Sequence, residues 1–250
     1  MSIMIEQISI DLSNYCSKGC HFCYNSSHRD GSTSWKPSEV IGFAKSCIEC
    51  GVKAVSLGGG EPLEYEGVFD VIAALYPLSY LTLTTNGFPL DSPSIIDSLK
   101  LHKPDKIHIS IHNADIETEV SRVLRQITLL EDLEIKPGVN LLINANKVEP
   151  SKAAYASLRK RLEKDQIILI PQRFSDTPTA QQLARITDGE PFQSPSCLLR
   201  CERPKRFASI SWDKKVNWCS YAGGKQPLES FDYQGLVSAL QKVKFTSCQR

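Results

Sequence analysis

Between Ile5 and Ser13 the chain alternates apolar and polar residues, with Ile8, Ile10 and Leu12 on one parity and Ser9, Asp11 and Ser13 on the other. Period two is the mark of a strand with unlike faces. The split recurs as Leu81 and Leu83 against Thr82, Thr84 and Asn86, and as Ile107, Ile109 and Ile111 against His108, Ser110 and His112. Further strands are predicted in "KAVSLGGGEP", "PGVNLLINAN" and "QIILIPQRF". Between them lie segments of helical period: "KPSEVIGFAKSCIECG" with Pro37 near its start and Gly51 after its end, "EGVFDVIAAL", "PSIIDSLKL", a longer stretch from about Ile116 to Leu133, and "SKAAYASLRKRLEK".

Six alternating strand–helix units predict an α/β fold with a parallel sheet and helices outside it. That is a partial (β/α)6 TIM-like barrel, short of the usual eight units. Parallel strands covered on both faces normally read as unbroken apolar runs. A polar row on several of them therefore predicts that this face lines a cavity. An antiparallel sheet with one wet face is the competing reading, and the helical spacers oppose it. Beyond Phe174 the rhythm breaks into a segment rich in Pro, Ser, Thr and Asp with one short helix. The expected division is a barrel over residues 1–174, a linker over 175–196 and a small cysteine-containing extension over 197–250.

The chain has 250 residues, 41% of them hydrophobic, enough for one barrel-sized core, and a formal net charge of +1. Near neutrality argues against nucleic acid and anionic membranes as partners. No apolar run reaches the ~18 residues of a spanning helix. Nine cysteines without an export signal point to a reducing compartment, read as the cytoplasm, where thiols serve metals or redox chemistry.

Three of those cysteines, Cys16, Cys20 and Cys23, fall in one short loop after the first strand with spacing C-x3-C-x2-C. A structural zinc would want a fourth ligand; His21 is nearest, but sits between two cysteines on a curving loop. A [4Fe–4S] cubane held by three thiolates instead keeps one iron open for a substrate or cofactor.

With Phe22 before Cys23, and with Gly59, Gly60, Glu61 and Pro62 after the second strand, the chain resembles the radical S-adenosylmethionine (SAM) superfamily. The resemblance covers about Ile5 to Phe174. It implies that the open iron chelates the amino and carboxylate groups of SAM and that Phe22 lies near adenine. It also implies that the glycines and Glu61 receive the SAM ammonium. Thr84, Asn86, Ser110, Asn144 and Pro171 are the further expected SAM contacts, all near strand C-terminal ends, where barrels place their chemistry. His112 and Arg173 are the candidate catalytic or substrate-facing groups, with Arg200 a weaker one. The activity implied is one-electron cleavage of SAM, driven by a flavodoxin- or ferredoxin-type reductant, to a 5′-deoxyadenosyl radical that abstracts a substrate hydrogen.

The C-terminal cysteines Cys197, Cys201, Cys219 and Cys248 flank a predicted hairpin turning at Asp213–Lys214. This resembles the SPASM/Twitch appendages and implies a second, auxiliary [4Fe–4S] cluster, with zinc or unligated thiols as alternatives. Lys214 stands where those appendages carry the glycine that supplies a positive φ. Cys47 and Cys50, spaced i, i+3 at the end of the first helix, read as packing rather than redox chemistry.

The first strand begins by Ile5, which leaves no peptide-leader-binding domain ahead of it and favours a small-molecule substrate over a peptide. Modification of RNA or protein, and a non-catalytic electron-transfer module built on the same cysteines, are the alternatives.

Overall fold

The structure is a computed structural model, and it describes residues 3–195, 198 and 200–248. One nine-stranded sheet runs through it. The first six strands are β1 (Gln7–Asp11), β2 (Ala54–Gly58), β3 (Tyr80–Thr85), β4 (Lys106–Ile111), β5 (Lys136–Ile143) and β6 (Ile167–Pro171), each parallel to the next. Helices α1 (Pro37–Glu49), α2 (Val68–Leu75), α3 (Pro93–Leu101), α4 (Glu117–Asp132) and α5 (Val148–Leu158) connect them in turn. This is the partial TIM-like barrel that the alternating pattern predicts.

Strand parity decides what each face meets. Ile8, Ile10, Val55, Leu57, Leu81, Leu83, Ile107 and Ile109 are all completely buried with the apolar helix faces. On α1 those are Val40, Phe43, Ala44 and Cys47, so Cys47 is a core residue while Cys50 lies exposed at the helix end. The opposite parity holds Ser9, which pairs in register with Ser56 on β2, and Ser110, which pairs with Asn140 on β5. These polar positions face the barrel interior.

After α6 (Ala180–Ile186), three strands extend the sheet beyond β1: β7 (Phe207–Ile210), β8 (Lys215–Asn217) and β9 (Gln226–Pro227). The β7 strand is parallel to β1, whereas β8 and β9 are each antiparallel to the strand before. The hairpin between β7 and β8 turns at Asp213–Lys214, and Lys214 itself adopts φ +59°. Its ammonium repays that strain by an ion pair with Glu39 of α1 at 2.9 Å, and by lying 4.3 Å from the Phe231 ring centre and 5.1 Å from that of Trp35. Helix α7 (Tyr233–Lys242) then packs against α1.

Candidate active site

The polar strand face and the loops above it enclose a cavity of about 250 Å³. Cys16, Cys20, Phe22 and Cys23 line it from the loop after β1; Gly59 and Gly60 from the loop after β2; and Thr84, Asn86, Ser110, His112, Pro171 and Arg173 from the ends of β3, β4 and β6. Twelve of the site residues expected from sequence thus meet in one space.

Close backbone approach holds the cysteine loop against the glycines. The Gly60 amide donates to the Ser13 carbonyl at 2.7 Å, and the Glu61 amide to the Tyr15 carbonyl at 2.9 Å. A β-carbon on Gly60 would stand 1.8 Å from the Tyr15 carbonyl oxygen. Only glycine fits there.

Glu61 and Pro62 do not line the cavity. Glu61 is completely buried, and its carboxylate accepts from the Leu63 amide (3.1 Å), the Thr85 hydroxyl (2.8 Å) and the Asn86 amide (2.8 Å). Burial pushes its carboxyl up to about 7 against those hydrogen bonds. Its work is to tie the end of β3 to the glycine loop. Asn86, positioned by that bond and by Arg122 donating to its carbonyl at 3.1 Å, aims Nδ2 at the Cys16 sulfur at 3.6 Å.

Asn144 also lies outside the cavity lining. Its side chain donates to Gln172 at 3.2 Å and accepts from the Asn146 amide at 2.8 Å, closing the turn after β5. The competing turn role for an Asn at a strand end describes it well. His21 is exposed and packs edge-on against Phe22 at 4.9 Å.

An ionic cluster that sequence reasoning missed anchors the cysteine loop. Lys18 donates to the Glu119 carboxylate at 2.9 Å and to His112 Nδ1 at 3.0 Å, and the His112 amide donates to Glu119 at 2.9 Å. Nδ1 therefore accepts, which places the imidazole proton on Nε2; burial holds His112 below its ordinary range and so favours that neutral ring. Burial would raise the Glu119 carboxyl, but the bonds from His112 and Lys18 outweigh it and hold it far below the usual carboxylate range. The available signal was the polar stripe Glu119, Arg122 and Gln126 along α4, all three buried. Lys18, Tyr24, Gln172, Ser220 and Tyr221 are further lining residues that strand parity alone did not reach.

The C-terminal thiols are placed elsewhere. Cys201, Cys219 and Cys248 are partly buried and outside the cavity lining, and Cys197 lies outside the described residues. Among the described residues no three His, Cys, Asp or Glu side chains form a site for a single metal ion.

Compared with known proteins, residues 10–177 match the family model described as the radical SAM superfamily. The chain belongs to that superfamily. Radical SAM membership implies a [4Fe–4S] cluster and SAM, and the residues present fit both. Three thiols share the cavity wall, an amide N–H points at one of them, and an open space adjoins them. Burial pushes the Cys20 thiol up to about 11, so a thiolate there needs the compensating positive charge that iron provides.

A probable GTP 3′,8-cyclase of Methanocella arvoryzae is 31% identical over 111 residues, 44% of this chain and 36% of that protein. Another from Sulfurisphaera tokodaii is 27% identical over 168 residues, 66% of this chain and 51% of that one. The chain thus spans a third to a half of the length of these curated relatives. SuiB of Streptococcus suis bound to S-adenosylmethionine superposes with TM-score 0.69 at 18% identity, covering 90% of this chain and 63% of that one. The same protein bound to precursor peptide SuiA gives 0.66. Among the described residues no helix is long and apolar enough to cross a membrane.

Proposed function

We propose that this radical SAM enzyme cleaves SAM reductively and uses the resulting 5′-deoxyadenosyl radical to abstract hydrogen from a small metabolite. The observation that carries the reading is the convergence of Cys16, Cys20 and Cys23 with Gly59, Gly60 and the polar ends of β3 and β4 on one cavity. Cys16, Cys20 and Cys23 would hold the cubane, whose chemistry is to deliver one electron to the sulfonium of SAM. Phe22, Thr84, Asn86, Ser110 and Pro171 are assigned to orienting the nucleotide, and Arg173, almost wholly buried in the wall, to a carboxylate. His112 offers an Nε2 proton on a ring held by Lys18 and tilted over Phe22 at 5.8 Å between centres.

The cavity of about 250 Å³ lies just below the ~300–1,000 Å³ usual for ligand pockets. That the curated relatives carry the name of an enzyme acting on GTP supports the metabolite class without specifying the metabolite. A single side chain of a peptide is the second reading, favoured by the fold shared with SuiB.

Residues 1–174 would perform the chemistry. The region 197–250, joined by 175–196, would hold an auxiliary [4Fe–4S] cluster through Cys197, Cys201, Cys219 and Cys248. The reductant would be a flavodoxin- or ferredoxin-type protein, which suits a reducing compartment.

The test is anaerobic reconstitution followed by addition of SAM and dithionite. Formation of 5′-deoxyadenosine that Cys16→Ala, Cys20→Ala and Cys23→Ala each abolish is the expected result. A fully loaded wild-type chain that leaves SAM intact would reassign the protein as an electron-transfer module.

A further inference from the structure

Behind one wall of the cavity lies a buried carboxylate that the reading above does not use. Asp11 ends β1 on the same parity as Ser9 and is 1% exposed. Its Oδ1 accepts from the Tyr24 hydroxyl at 3.1 Å, while its Oδ2 is buried without a hydrogen-bond partner. Removing a carboxylate from water with half its acceptors unmatched is costly, and an amide of the same shape would cost far less. A retained charge of this kind marks a functional position.

The surroundings say what it faces. Gly58 lines the cavity, and a β-carbon there would stand 3.6 Å from Oδ1, so the carboxylate lies directly behind that stretch of wall. Tyr24 and Tyr221 line the cavity beside it, with ring centres 4.9 Å apart and planes inclined by 49°. Burial pushes the Asp11 carboxyl up to about 6 with help from the like charge of Asp213, and the field of Lys225 and the Tyr24 bond pull it back. Lys225 makes no ion pair with it. Arg173 stands over the Tyr221 ring at 5.8 Å. The unmatched acceptor thus belongs to a carboxylate bonded to Tyr24, whose ring packs on that of Tyr221, and a carboxylate next to aromatic rings suits a cation.

We propose that Asp11, Tyr24 and Tyr221 form a receptor for an ammonium group of the substrate. The inference rests on the enzymatic reading above and narrows its substrate class to amines. Oδ2 accepts a charge-assisted hydrogen bond from the ammonium, and the two phenol rings cover its remaining face. SAM also bears an ammonium, so the experiment separates the two sources.

The probes are phenethylammonium and its neutral isostere 2-phenylethanol, titrated calorimetrically into the reconstituted chain under anaerobic conditions, with SAM titrated in parallel. Wild-type protein is expected to bind the ammonium at least about tenfold more tightly than the alcohol, the size of one hydrogen bond to a charged group. In Asp11→Asn the two probes should bind within about twofold of each other, with SAM affinity and iron content unchanged. Tyr24→Phe, which removes the competing hydroxyl, should keep or increase the preference. No preference in the wild type, or a preference surviving in Asp11→Asn, would overturn the proposal. So would loss of the preference in Tyr24→Phe. Weakened SAM binding in Asp11→Asn with the probe preference intact would assign the carboxylate to the nucleotide instead. None of these readings depends on SAM cleavage, so failure of the enzymatic reading would appear separately, as absent 5′-deoxyadenosine.

Discussion

Asn86 Nδ2 stands 3.6 Å from the sulfur of Cys16, at the end of a chain of contacts that starts with Glu61. Hydrogen bonds to thiolate sulfur stabilise the reduced, more negative cluster and raise its potential. Asn86→Leu is expected to lower the potential by up to about 60 mV, the one-electron equivalent of ~1.4 kcal/mol, with iron content preserved. Potentiometric EPR checks this; an unchanged midpoint would detach Asn86 from the cluster.

Gly60 stands against the Tyr15 carbonyl with no space for a side chain. Gly60→Ala should push the cysteine loop away from the β2 loop and reduce reconstituted iron to less than half of wild type. Iron and sulfide assays decide it, and a fully loaded Gly60→Ala protein would show that the loops tolerate separation.

Lys18 and Glu119 form the most enclosed ion pair among the described residues, with side chains 12% and 9% exposed. Taking away one partner of such a pair strands the other. Lys18→Met should destabilise the chain by about 3 kcal/mol, and the double variant Lys18→Met/Glu119→Leu should recover part of that loss. Urea unfolding measures both; additive losses would mean the two groups do not interact.

Glu61 predicts the opposite pH dependence to Glu119. Its carboxyl is raised to about 7 in the fold from an ordinary value of 4.5, so between those values the folded chain holds a proton that the unfolded chain has released. Stability conferred at this site is therefore present below pH 4.5 and lost as pH rises towards 7. Relative to Glu61→Gln, which cannot titrate, wild type should lose at most about 3 kcal/mol across that window. Parallel stability curves would contradict it. Glu119, held low, contributes above its unfolded value and loses that contribution only as the solution becomes acid.

An auxiliary cluster predicts about eight irons per reconstituted chain, falling to about four in Cys219→Ala. Four in both proteins would remove the second cluster from the account.

Much of this was legible beforehand because strands and their polar parity are local patterns. Ser9, Thr84, Ser110 and His112 could be assigned to the lumen from period two alone, and α4 spans Glu117–Asp132 against an expected Ile116 to Leu133. What escaped depends on contacts distant in sequence. The β7–β8 hairpin reads as a local motif, but nothing local tells which strand edge it joins, and it pairs with β1 across 200 residues, as in Gln7 with Phe207. The pairing of Lys18 with Glu119 is separated by 101 positions, and the meeting of Tyr24 with Tyr221 is more remote still. Asn144 lies outside the cavity lining, where the turn after β5 and Gln172 take up its side chain. At Lys214 the missing glycine proved no barrier, because the side chain's own contacts offset the positive φ.

The parallel pairing of β7 with β1 also governs how the polypeptide behaves when shortened. Cutting before Phe207 would strip β1, the strand that feeds the cysteine loop, of its outer neighbour and expose a row of open amides beside Ile8 and Ile10. Such an edge recruits other chains. The segment from Phe207 onward is thus a guard for the first strand, and shortened versions should be recovered as aggregates before any loss of chemistry could be measured.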